Sequence, residues 1–595
     1  MSAPDTVFDL VQRFTDNLTS YKSSNYNETQ TRVELIDPLF IALGWDVNNT
    51  QGYGEAYKDV IHEDKVKVGG MTKAPDYSFR IGMTRKFFVE AKKPSVNLKS
   101  DVAPAFQLRR YAWSAKLPVS ILTDFEEFAV YDGRIVPNES DGAGVARIRY
   151  YTYTDYLEKW DEIAALFSKE AIINGAFDRF AGDKKAKRGT TEVGAAFLAE
   201  IEGWRNALAV NLAAKNSHLT TRQLNIAVQK TIDRIIFLRI CEDRGIEEMG
   251  RLLSLMNGKN VYERLVVQFH EADERYNSGL FHFEKEKGRD ESERDTLSLT
   301  LKIDDGVLKN ILKSLYYPAP YAFEVFPADI LGQVYEQFLG KVIVLDAKHQ
   351  ATVEEKPEVR KAGGVYYTPT YIVDYIVQQT VGKLLENKTP KLVELLKILD
   401  PACGSGSFLI GAYQTLLDWH LQWYEKDGVE KHTKGKDPKV YRTAGNSYRL
   451  TTSERKRILL NNLYGVDIDP QAVEVTKLSL LLKMLEGETQ QTVRTQTSLS
   501  LGRVLPDLIG NIQCGNSLIG SDFYENRQLT MMDEEEMYRV NAFDWHKAFP
   551  VVYSNKNREG GVARGLMQSL ETRRMFFFKV SWAINNSQTT SEQII

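Results

Sequence analysis

The sequence predicts a multidomain α/β protein, and three observations lead to that prediction. The chain has 595 residues, well beyond the size at which one hydrophobic core stops growing, so about three or four domains are expected. Its middle part repeats apolar residues at the three- and four-residue spacing of amphipathic helices. After about residue 345, candidate strands alternate with helical patterns, which predicts a parallel sheet because parallel strands need long crossover connections.

The composition is that of an ordinary globular protein and excludes several special classes. Hydrophobic residues make up 43% and charged residues 26% of the chain, and 80 acidic against 76 basic residues neither require nor exclude a nucleic-acid partner. Cys241, Cys403 and Cys514 are too few and too far apart for a disulfide framework or a CxxC metal pair. With no signal-like start and no run near the ~18 apolar residues of a membrane span, the protein is expected in the cytoplasm.

Four regions are predicted along the chain. Residues 1–170 mix helices with short strands and lead into a charge run that is interpreted as a solvated linker, although a basic strap beside DNA stays an alternative. Residues 171–345 form a helical connector, in which "RQLNIAVQKTIDRIIFLRICEDRG" predicts an amphipathic helix that stops near Gly245. Residues 346–550 form the alternating α/β region, and residues 551–595 form an atypical tail.

A glycine turn stands at the start of the alternating region. In "ILDPACGSGSF", an apolar run ends at Asp400 and turns through Gly404 and Gly406 into a second apolar run, as expected for a strand, a tight turn and a helix. A Walker A string is absent, and a GxGxxG pattern fails because the next glycine after Gly406 is Gly411. A nucleoside without a pyrophosphate therefore fits this turn better than a dinucleotide, while a purely conformational turn remains the alternative.

A second candidate strand ends in acidic residues. In "YGVDIDP", Asp467 follows an apolar run, where its carboxylate can accept hydrogen bonds from both hydroxyls of a ribose. Asp469 precedes Pro470 and better suits the N-cap of the next helix. "NIQCGNSL" supplies a third candidate strand end.

Four segments in this order resemble the S-adenosylmethionine-binding half of adenine-specific DNA amino-methyltransferases: "GGVYYTPTYIVDYIV", "ILDPACGSGSFL", "NLYGVDIDPQAVEVTKLSLLL" and "IQCGNSLI". The resemblance implies a partial Rossmann-like class I methyltransferase fold at the C-terminal end and S-adenosyl-L-methionine as cofactor. It assigns cofactor binding to Tyr367, Thr368 and Pro369 against the methionine part, Asp400, Ala402, Gly404 and Gly406 in the surrounding loop, Asp467 on the ribose, and Asn516 beside the adenine ring.

The front of the chain carries two acids and a lysine on adjacent strands. Asp76 opens one short predicted strand and Glu90 lies near the end of the next, with Phe88, Glu90 and Lys92 on one face because strand residues alternate. Such a trio can hold Mg²⁺ through oxygen ligands and activate water against a phosphodiester. As a bare string, the pattern more commonly belongs to an exposed hairpin with charged edges.

Residues around this trio resemble the PD-(D/E)XK nuclease domain found at the front of restriction enzymes. Glu34 lies in an upstream predicted helix, and Gln107 and Tyr111 lie one helical turn apart downstream. The resemblance implies that Asp76 and Glu90 bind Mg²⁺, that Lys92 completes the catalytic trio, and that Glu34, Gln107 and Tyr111 support it.

The order of nuclease, helical connector and methyltransferase resembles the single-chain restriction-modification enzymes of type IIG. That resemblance implies site-specific adenine-N6 methylation of double-stranded DNA with S-adenosylmethionine and Mg²⁺-dependent cleavage without ATP-driven translocation. The recognition sequence, the cleavage position and the oligomeric state do not follow from the sequence.

One family motif is missing from these 595 residues. Adenine methyltransferases present the flipped base with Asn or Asp, two prolines and an aromatic residue, and the chain contains no Pro-Pro. We expect a truncation or frame shift near residues 552–562, no target-recognition domain, and no methylation by this chain. The alternatives are a non-catalytic cofactor- or partner-binding remnant and a nuclease-only protein.

Overall fold

The computed structural model describes most of the chain, and its fold is multidomain α/β, as predicted. Several segments lie outside the description. They are residues 1–2, 54–57, 63–74, 83, 178–191, 277–278, 286–293, 327, 363–367, 436, 443–447, 487, 489–504, 525–536, 538, 554–574 and 578–595.

The front part is built on a six-stranded sheet in which each strand neighbours the next along the chain. Strands β3 (Thr84–Ala91) and β4 (Val119–Thr123) run parallel, and the other neighbouring pairs are antiparallel. The helix Val102–Ser114 makes the crossover between β3 and β4 that a parallel pair requires. The strands are β1 Val60–His62, β2 Tyr77–Ile81, β3 Thr84–Ala91, β4 Val119–Thr123, β5 Glu127–Asp132 and β6 Arg147–Thr152.

Both faces of this sheet are covered, so its central strands are buried along most of their length. Phe87 and Val89 join one apolar cluster with the first helices, whereas Phe88 joins a second cluster with Leu108 and Tyr111 of the crossover helix. This alternation is the one predicted from the sequence, and it directs Glu90 toward the crossover helix. The remaining front helices are Asp5–Asp16, Leu18–Tyr21, Glu28–Thr31, Asp37–Ala42, Trp160–Phe167 and Lys169–Ile173, with a π-helical turn at Arg32–Ile36 and a 3₁₀ turn at Tyr153–Asp155.

The middle of the chain is helical, as predicted. Its central helix, Thr221–Asp243, begins with a capping box between Thr220 and Gln223 and is followed by Gly245 at φ +67°. Most residues of the second half of this helix are buried, because neighbouring helices cover it on several sides. The other connector helices are Val193–Lys215, Arg251–Ser254, Val261–Tyr276, Asp305–Ser314 and Ala328–Leu339, with a 3₁₀ turn at Ser298–Thr300.

Two strand hairpins follow the connector: β7 with β8 precedes the first strand of the last sheet in the chain, and β10 with β11 lies between the first two strands of that sheet. The former is Lys341–Leu345 with Ala351–Glu355, and the latter is Val440–Arg442 with Tyr448–Leu450. The helices of this region are Pro357–Ala362, Thr370–Val377, Lys383–Leu385, Pro390–Val393, Ser407–Lys426, Thr452–Asn462, Pro470–Met484, Trp545–Ala548 and Pro550–Tyr553, with a π-helical turn at Gln378–Gly382 and 3₁₀ turns at Val429–Lys431 and Ser521–Tyr524.

The predicted parallel sheet is confirmed. The three predicted strand ends belong to β9, β12 and β13, which are neighbouring strands of one sheet, and β14 is the fourth strand. The strand order is β13, β12, β9 and β14, and all neighbouring pairs are parallel. Its strands are β9 Lys397–Asp400, β12 Leu463–Asp467, β13 Ile512–Cys514 and β14 Met575–Phe577. Because the carboxyl ends of parallel strands meet at one edge, Asp400 and Asp467 lie close together.

The tail, which was predicted only to be atypical, contributes a strand to this sheet. Residues Met575–Phe577 form β14, and Phe576 pairs with Ile398 on the side of β9 opposite to β12. Phenylalanine favours strands, and β9 offers backbone groups that need partners on that side. The aromatic run of the tail therefore completes the sheet beside the glycine turn.

The connector contacts both the front domain and the glycine turn. Arg110 donates from Nε to the carbonyl of Ala319 at 3.0 Å, and the amide of Ala322 donates to Ser114 Oγ at 2.9 Å. Ala322 and Val325 also belong to the apolar cluster that contains Phe88. The domain boundaries near residues 170, 345 and 550 remain predictions, and the predicted linker falls mostly on residues outside the description.

Within the part of the chain that the structure describes, no helix is long and apolar enough to cross a membrane.

Candidate functional site

The structure brings the two predicted acids of the front domain together with the lysine. Asp76 lies directly before β2 and Glu90 lies on β3, and both side chains are fully buried. The backbone amide of Ala91 donates to Asp76 Oδ2 at 2.8 Å, which fixes Asp76 beside the end of β3. Lys92 donates from Nζ to Glu90 Oε1 at 2.6 Å. The exposed-hairpin interpretation is therefore wrong.

The crossover helix supplies a further polar group to this cluster. Gln107 donates from Nε2 to the same Glu90 oxygen at 3.1 Å. Tyr111, one turn later, is 2% exposed, and burial raises the pKa of its hydroxyl well above the ordinary value. Both residues thus lie on the helix face that covers Glu90, and Tyr111 is expected to stay protonated.

Glu34 makes its described hydrogen bonds with residues outside the trio, and its supporting role stays a prediction. Its carboxylate accepts a hydrogen bond from the Tyr26 hydroxyl at 3.2 Å, and its carbonyl accepts one from Arg13. No described hydrogen bond or ion pair joins Glu34 to Asp76, Glu90 or Lys92. Because Glu34 sits on a π-helical turn, its direction could not be derived from α-helical spacing.

Two residues near Glu34 in the sequence approach the trio. Arg32 NH1 lies 3.4 Å from Asp76 Oδ1, and Lys92 Nζ lies 4.0 Å from a Glu28 carboxylate oxygen. Sequence reasoning missed both residues, since an arginine and a glutamate in an upstream helix carry no specific signal. Burial opposes the charge of Lys92, yet the acids Glu90, Glu28 and Asp76 hold the pKa of its amine above the ordinary value.

The residues present fit Mg²⁺, judged from the donor set. The described residues contain no group of three or more His, Cys, Asp or Glu side chains arranged for a metal. Mg²⁺ does not need such a group, because it keeps several waters and is commonly held by one or two carboxylates. Asp76 and Glu90 supply two buried carboxylates from neighbouring strands, and their oxygens are the hard ligands that this ion prefers.

The glycine turn has the geometry that its sequence predicted. β9 ends at Asp400 and the helix Ser407–Lys426 begins immediately after Gly406. Gly404 and Gly406 adopt φ values of +53° and +84°, which L-residues with side chains rarely adopt. A Cβ at Gly406 would also meet the Thr476 side chain at 2.9 Å. The turn therefore needs glycine at position 406 for two independent reasons.

Asp467 links the second strand to this turn. Its Oδ2 accepts a hydrogen bond from the Gly404 amide and its Oδ1 accepts one from the Asp469 amide, each at 2.9 Å. Each carboxylate oxygen has a second lone pair, so these bonds leave acceptor capacity for a ligand hydroxyl. Asp469 accepts from the Gln471 amide at 2.9 Å as the N-cap of the next helix, as predicted, while the ribose-binding role of Asp467 stays a prediction.

The acids around the turn share one electrostatic environment. Asp400 is 3% exposed, and burial raises the pKa of its carboxyl to about 7 against a hydrogen bond from the Ala402 amide. Glu336, on the connector helix Ala328–Leu339, accepts from Ser405 Oγ at 3.1 Å. Burial likewise raises the pKa of Glu336 to about 7. Sequence reasoning missed Glu336, because it precedes the first recognised segment by about thirty residues.

The other predicted cofactor residues divide into described and undescribed positions. Thr368 is half-buried, and Pro369 is the N-cap residue of the helix Thr370–Val377. Tyr367 lies outside the described residues. Asn516 follows β13, forms an isolated bridge with Ala542, and accepts from the Leu518 amide at 3.1 Å. Its role beside an adenine ring stays a prediction.

Comparison with known proteins points to restriction-modification enzymes. Residues 377–542 match the family described as the DNA-methyltransferase domain of MmeI. The type II restriction enzyme and methyltransferase RM.Eco57I of Escherichia coli is 34% identical over 559 residues, which cover 93% of this chain and 53% of that protein. A putative type II restriction enzyme and methyltransferase of Methanocaldococcus jannaschii, RM.MjaORFECS2P, is 26% identical over 62% of this chain and 34% of its own length.

A solved DrdV–DNA complex matches 90% of this chain and 42% of its own chain, at 14% identity and a TM-score of 0.31. That score is too low to support an argument. The chain spans about half the length of the Escherichia coli relative. By its sequence matches, this chain resembles the type II restriction enzymes and methyltransferases, and its residues 377–542 resemble the DNA-methyltransferase domain of MmeI.

Proposed function

We propose that this chain binds S-adenosylmethionine at the glycine turn and hydrolyses phosphodiester bonds of double-stranded DNA with Mg²⁺ at the front site. The observation that carries the proposal is the convergence of Asp76, Glu90, Lys92 and Gln107 from two strands and one helix. The names of the relatives, restriction enzyme and methyltransferase, support DNA as the substrate. Cleavage and cofactor binding are thus assigned to separate sites.

In the front site, Asp76 and Glu90 would hold Mg²⁺, which would activate a water and neutralise charge on the phosphate. Lys92 has a raised pKa and hydrogen-bonds to Glu90, so it stays protonated at neutral pH. A protonated lysine is a poor general base, and its role is to stabilise the negative charge that develops on the phosphate. Gln107 holds the Glu90 carboxylate in place through its amide.

In the rear site, the backbone of the glycine turn would surround the cofactor and Asp467 would bind its ribose. S-adenosylmethionine carries a sulfonium cation, which would favour the ionised forms of Asp400, Asp467 and Glu336, whose pKa values are raised by burial. Since the 595 residues contain no Pro-Pro, the motif that presents a flipped adenine is absent from this chain. We therefore expect cofactor binding without methyl transfer.

The test is a nicking assay on mixed supercoiled DNA with purified protein, with and without Mg²⁺ and S-adenosylmethionine. Cleavage is expected only with Mg²⁺, and Lys92→Ala is expected to lower the rate by about a hundredfold or more, because it removes charge stabilisation in the transition state. Lys86→Ala, on the same strand, is the matched control and should keep the wild-type rate. Nicking that persists in Lys92→Ala would refute the assigned site.

A second candidate function, cofactor binding with no chemistry at all, is favoured by the missing base-presenting motif. The same assay separates the two candidates. Cofactor binding in calorimetry, together with neither nicking nor transfer of a labelled methyl group to DNA, would support the non-catalytic protein. Transfer of the label by this chain would contradict both candidates.

A further inference from the structure

Arg32 occupies an unusual position beside the front site. It is the first residue of the π-helical turn Arg32–Ile36, a rare conformation that is frequent at functional sites. The turn directs its guanidinium toward Asp76, whose Oδ1 lies 3.4 Å from Arg32 NH1, while Oδ2 accepts from the Ala91 amide. Arg32 therefore faces the Asp76 oxygen opposite to the one that accepts from the Ala91 amide.

The contact between Arg32 and Asp76 is not a close ion pair. NH1 of Arg32 lies 3.4 Å from Asp76 Oδ1, whereas Arg234 and Asp295 approach to 2.5 Å and Arg109 and Asp141 to 2.8 Å. Separations of 3.6 and 3.8 Å occur between Arg455 and Glu488 and between Arg239 and Glu242. The position of the Arg32 guanidinium is set by further contacts besides Asp76.

That positioning comes from two aromatic neighbours. Arg32 NH2 lies 2.9 Å from His62 Nδ1, and the guanidinium carbon lies 4.6 Å from the centre of the Tyr77 ring. His62 is itself held by a contact of 3.0 Å between its Nε2 and the carbonyl of Val47. Arg32 thus has supports that do not depend on Asp76, and it can remain in the site when the partner of Asp76 changes.

The two cations at the site oppose the binding of a metal. The buried carboxylates of Asp76 and Glu90 face Arg32 and Lys92 at 3.4 and 2.6 Å, and a Glu28 carboxylate oxygen lies 4.0 Å from Lys92. A divalent cation held by Asp76 and Glu90 would be repelled by Arg32 and Lys92, and this repulsion would weaken its binding. A DNA phosphate would bring negative charge to the same place and offset the repulsion.

We propose that Arg32 is the resident counter-ion of Asp76, which a divalent metal must displace, and that it suppresses metal binding until a DNA phosphate enters the site. This inference rests on the proposed nuclease function. It makes Arg32 a positioning residue that sets the order of assembly. After displacement, the supports of His62 and Tyr77 leave the guanidinium beside the site, where it meets the phosphate.

The experiment is a calorimetric titration of Mg²⁺ into the full chain without DNA. Arg32→Gln is expected to bind Mg²⁺ about tenfold or more tightly than the wild type, because a repelling charge is lost. Arg32→Lys keeps the charge and should stay within about threefold of the wild type. Arg149→Gln makes the same charge change at an exposed ion pair with Glu162 and should have no effect. Near-ultraviolet circular dichroism and melting temperature establish that each variant is folded.

Asp76→Asn distinguishes failure of this inference from failure of the proposed function. If Asp76→Asn abolishes Mg²⁺ binding while a folded Arg32→Gln binds Mg²⁺ no more tightly than the wild type, the inference is overturned and the nuclease site stands. If neither the wild type nor Arg32→Gln binds Mg²⁺ and no DNA is nicked, both are overturned. Tighter binding by Arg32→Gln that is lost in the double variant with Asp76→Asn is the supporting result.

Discussion

The replacement Asp467→Asn tests the cofactor site most directly. In the wild type, the Asp467 carboxylate accepts from the Gly404 amide on one oxygen and from the Asp469 amide on the other. Asparagine keeps one oxygen and places an NH₂ group, which is a donor, where the second oxygen was. One of the two backbone amides must therefore lose its partner and face another donor.

The size of the effect follows from that loss. A hydrogen bond to a charged group contributes about 1.5–3 kcal/mol, and the loss of negative charge also weakens the bonds to the ribose hydroxyls. A weakening of binding by about 1.5–3 kcal/mol corresponds to a dissociation constant about 10 to 150 times higher. We expect Asp467→Asn to raise the dissociation constant for S-adenosylmethionine by a factor in this range.

Isothermal titration calorimetry with S-adenosylmethionine measures this change, and Asp469→Asn is the matched control. It makes the same chemical change two residues away, and asparagine caps a helix as well as aspartate does. Asp469→Asn should therefore bind the cofactor nearly as the wild type does. Equal affinities for Asp467→Asn and wild type, or an equal loss in both variants, would refute the assignment of Asp467.

Three further predictions concern stability and are checked by thermal or denaturant unfolding. Gly406→Ala should lower the free energy of unfolding by about 1–3 kcal/mol, because position 406 has a positive φ and a Cβ there would clash with a threonine side chain. Gly203→Ala, on an open helix surface, should raise the free energy of unfolding by about 0.5–1 kcal/mol. Equal effects of the two changes would contradict the strain at the turn. Glu336 has a pKa of about 7 in the fold, above its ordinary 4.5, so the folded state binds more protons between those values and stability falls as the pH rises through them. Glu336→Gln removes that cost and should raise the melting temperature at pH 8 but not at pH 4; a gain at both pH values would contradict the reasoning. Arg110→Ala loses hydrogen bonds to two connector carbonyls and should lower the free energy of unfolding by about 2–3 kcal/mol. Arg149→Ala, at an exposed ion pair, should lower it by less than about 1 kcal/mol. An equally small loss in Arg110→Ala would contradict the contact between the front domain and the connector.

The predictable parts of the molecule are those that local patterns encode. The strand that ends at Asp400, the glycines with positive φ and the N-cap at Asp469 follow from residue types and spacing alone. The trio Asp76, Glu90 and Lys92 also followed from strand alternation. In each case the signal lies within a few residues of the structure that it specifies.

The parts that could not be predicted depend on contacts between distant segments. Arg32 reaches Asp76 because a π-helical turn shifts the helical register, and no spacing in the sequence predicts such a turn. Glu336 reaches Ser405 because a connector helix packs on the glycine turn across 69 positions of sequence. The strand Met575–Phe577 pairs with β9 although a long segment separates them. Tertiary packing determines such contacts, and no local pattern in the sequence predicts them.

The joint between the front domain and the connector has a consequence for how this protein could be assembled. Residues 102–114 and 316–325 hold each other through apolar packing and hydrogen bonds, although more than two hundred positions separate them in sequence. Association across that surface does not require a continuous polypeptide. Residues 1–177 and 192–595, produced as two separate polypeptides with an affinity tag on one, are expected to co-purify as a heterodimer. A single gene for this protein could thus be divided into two genes at that point with the complex preserved.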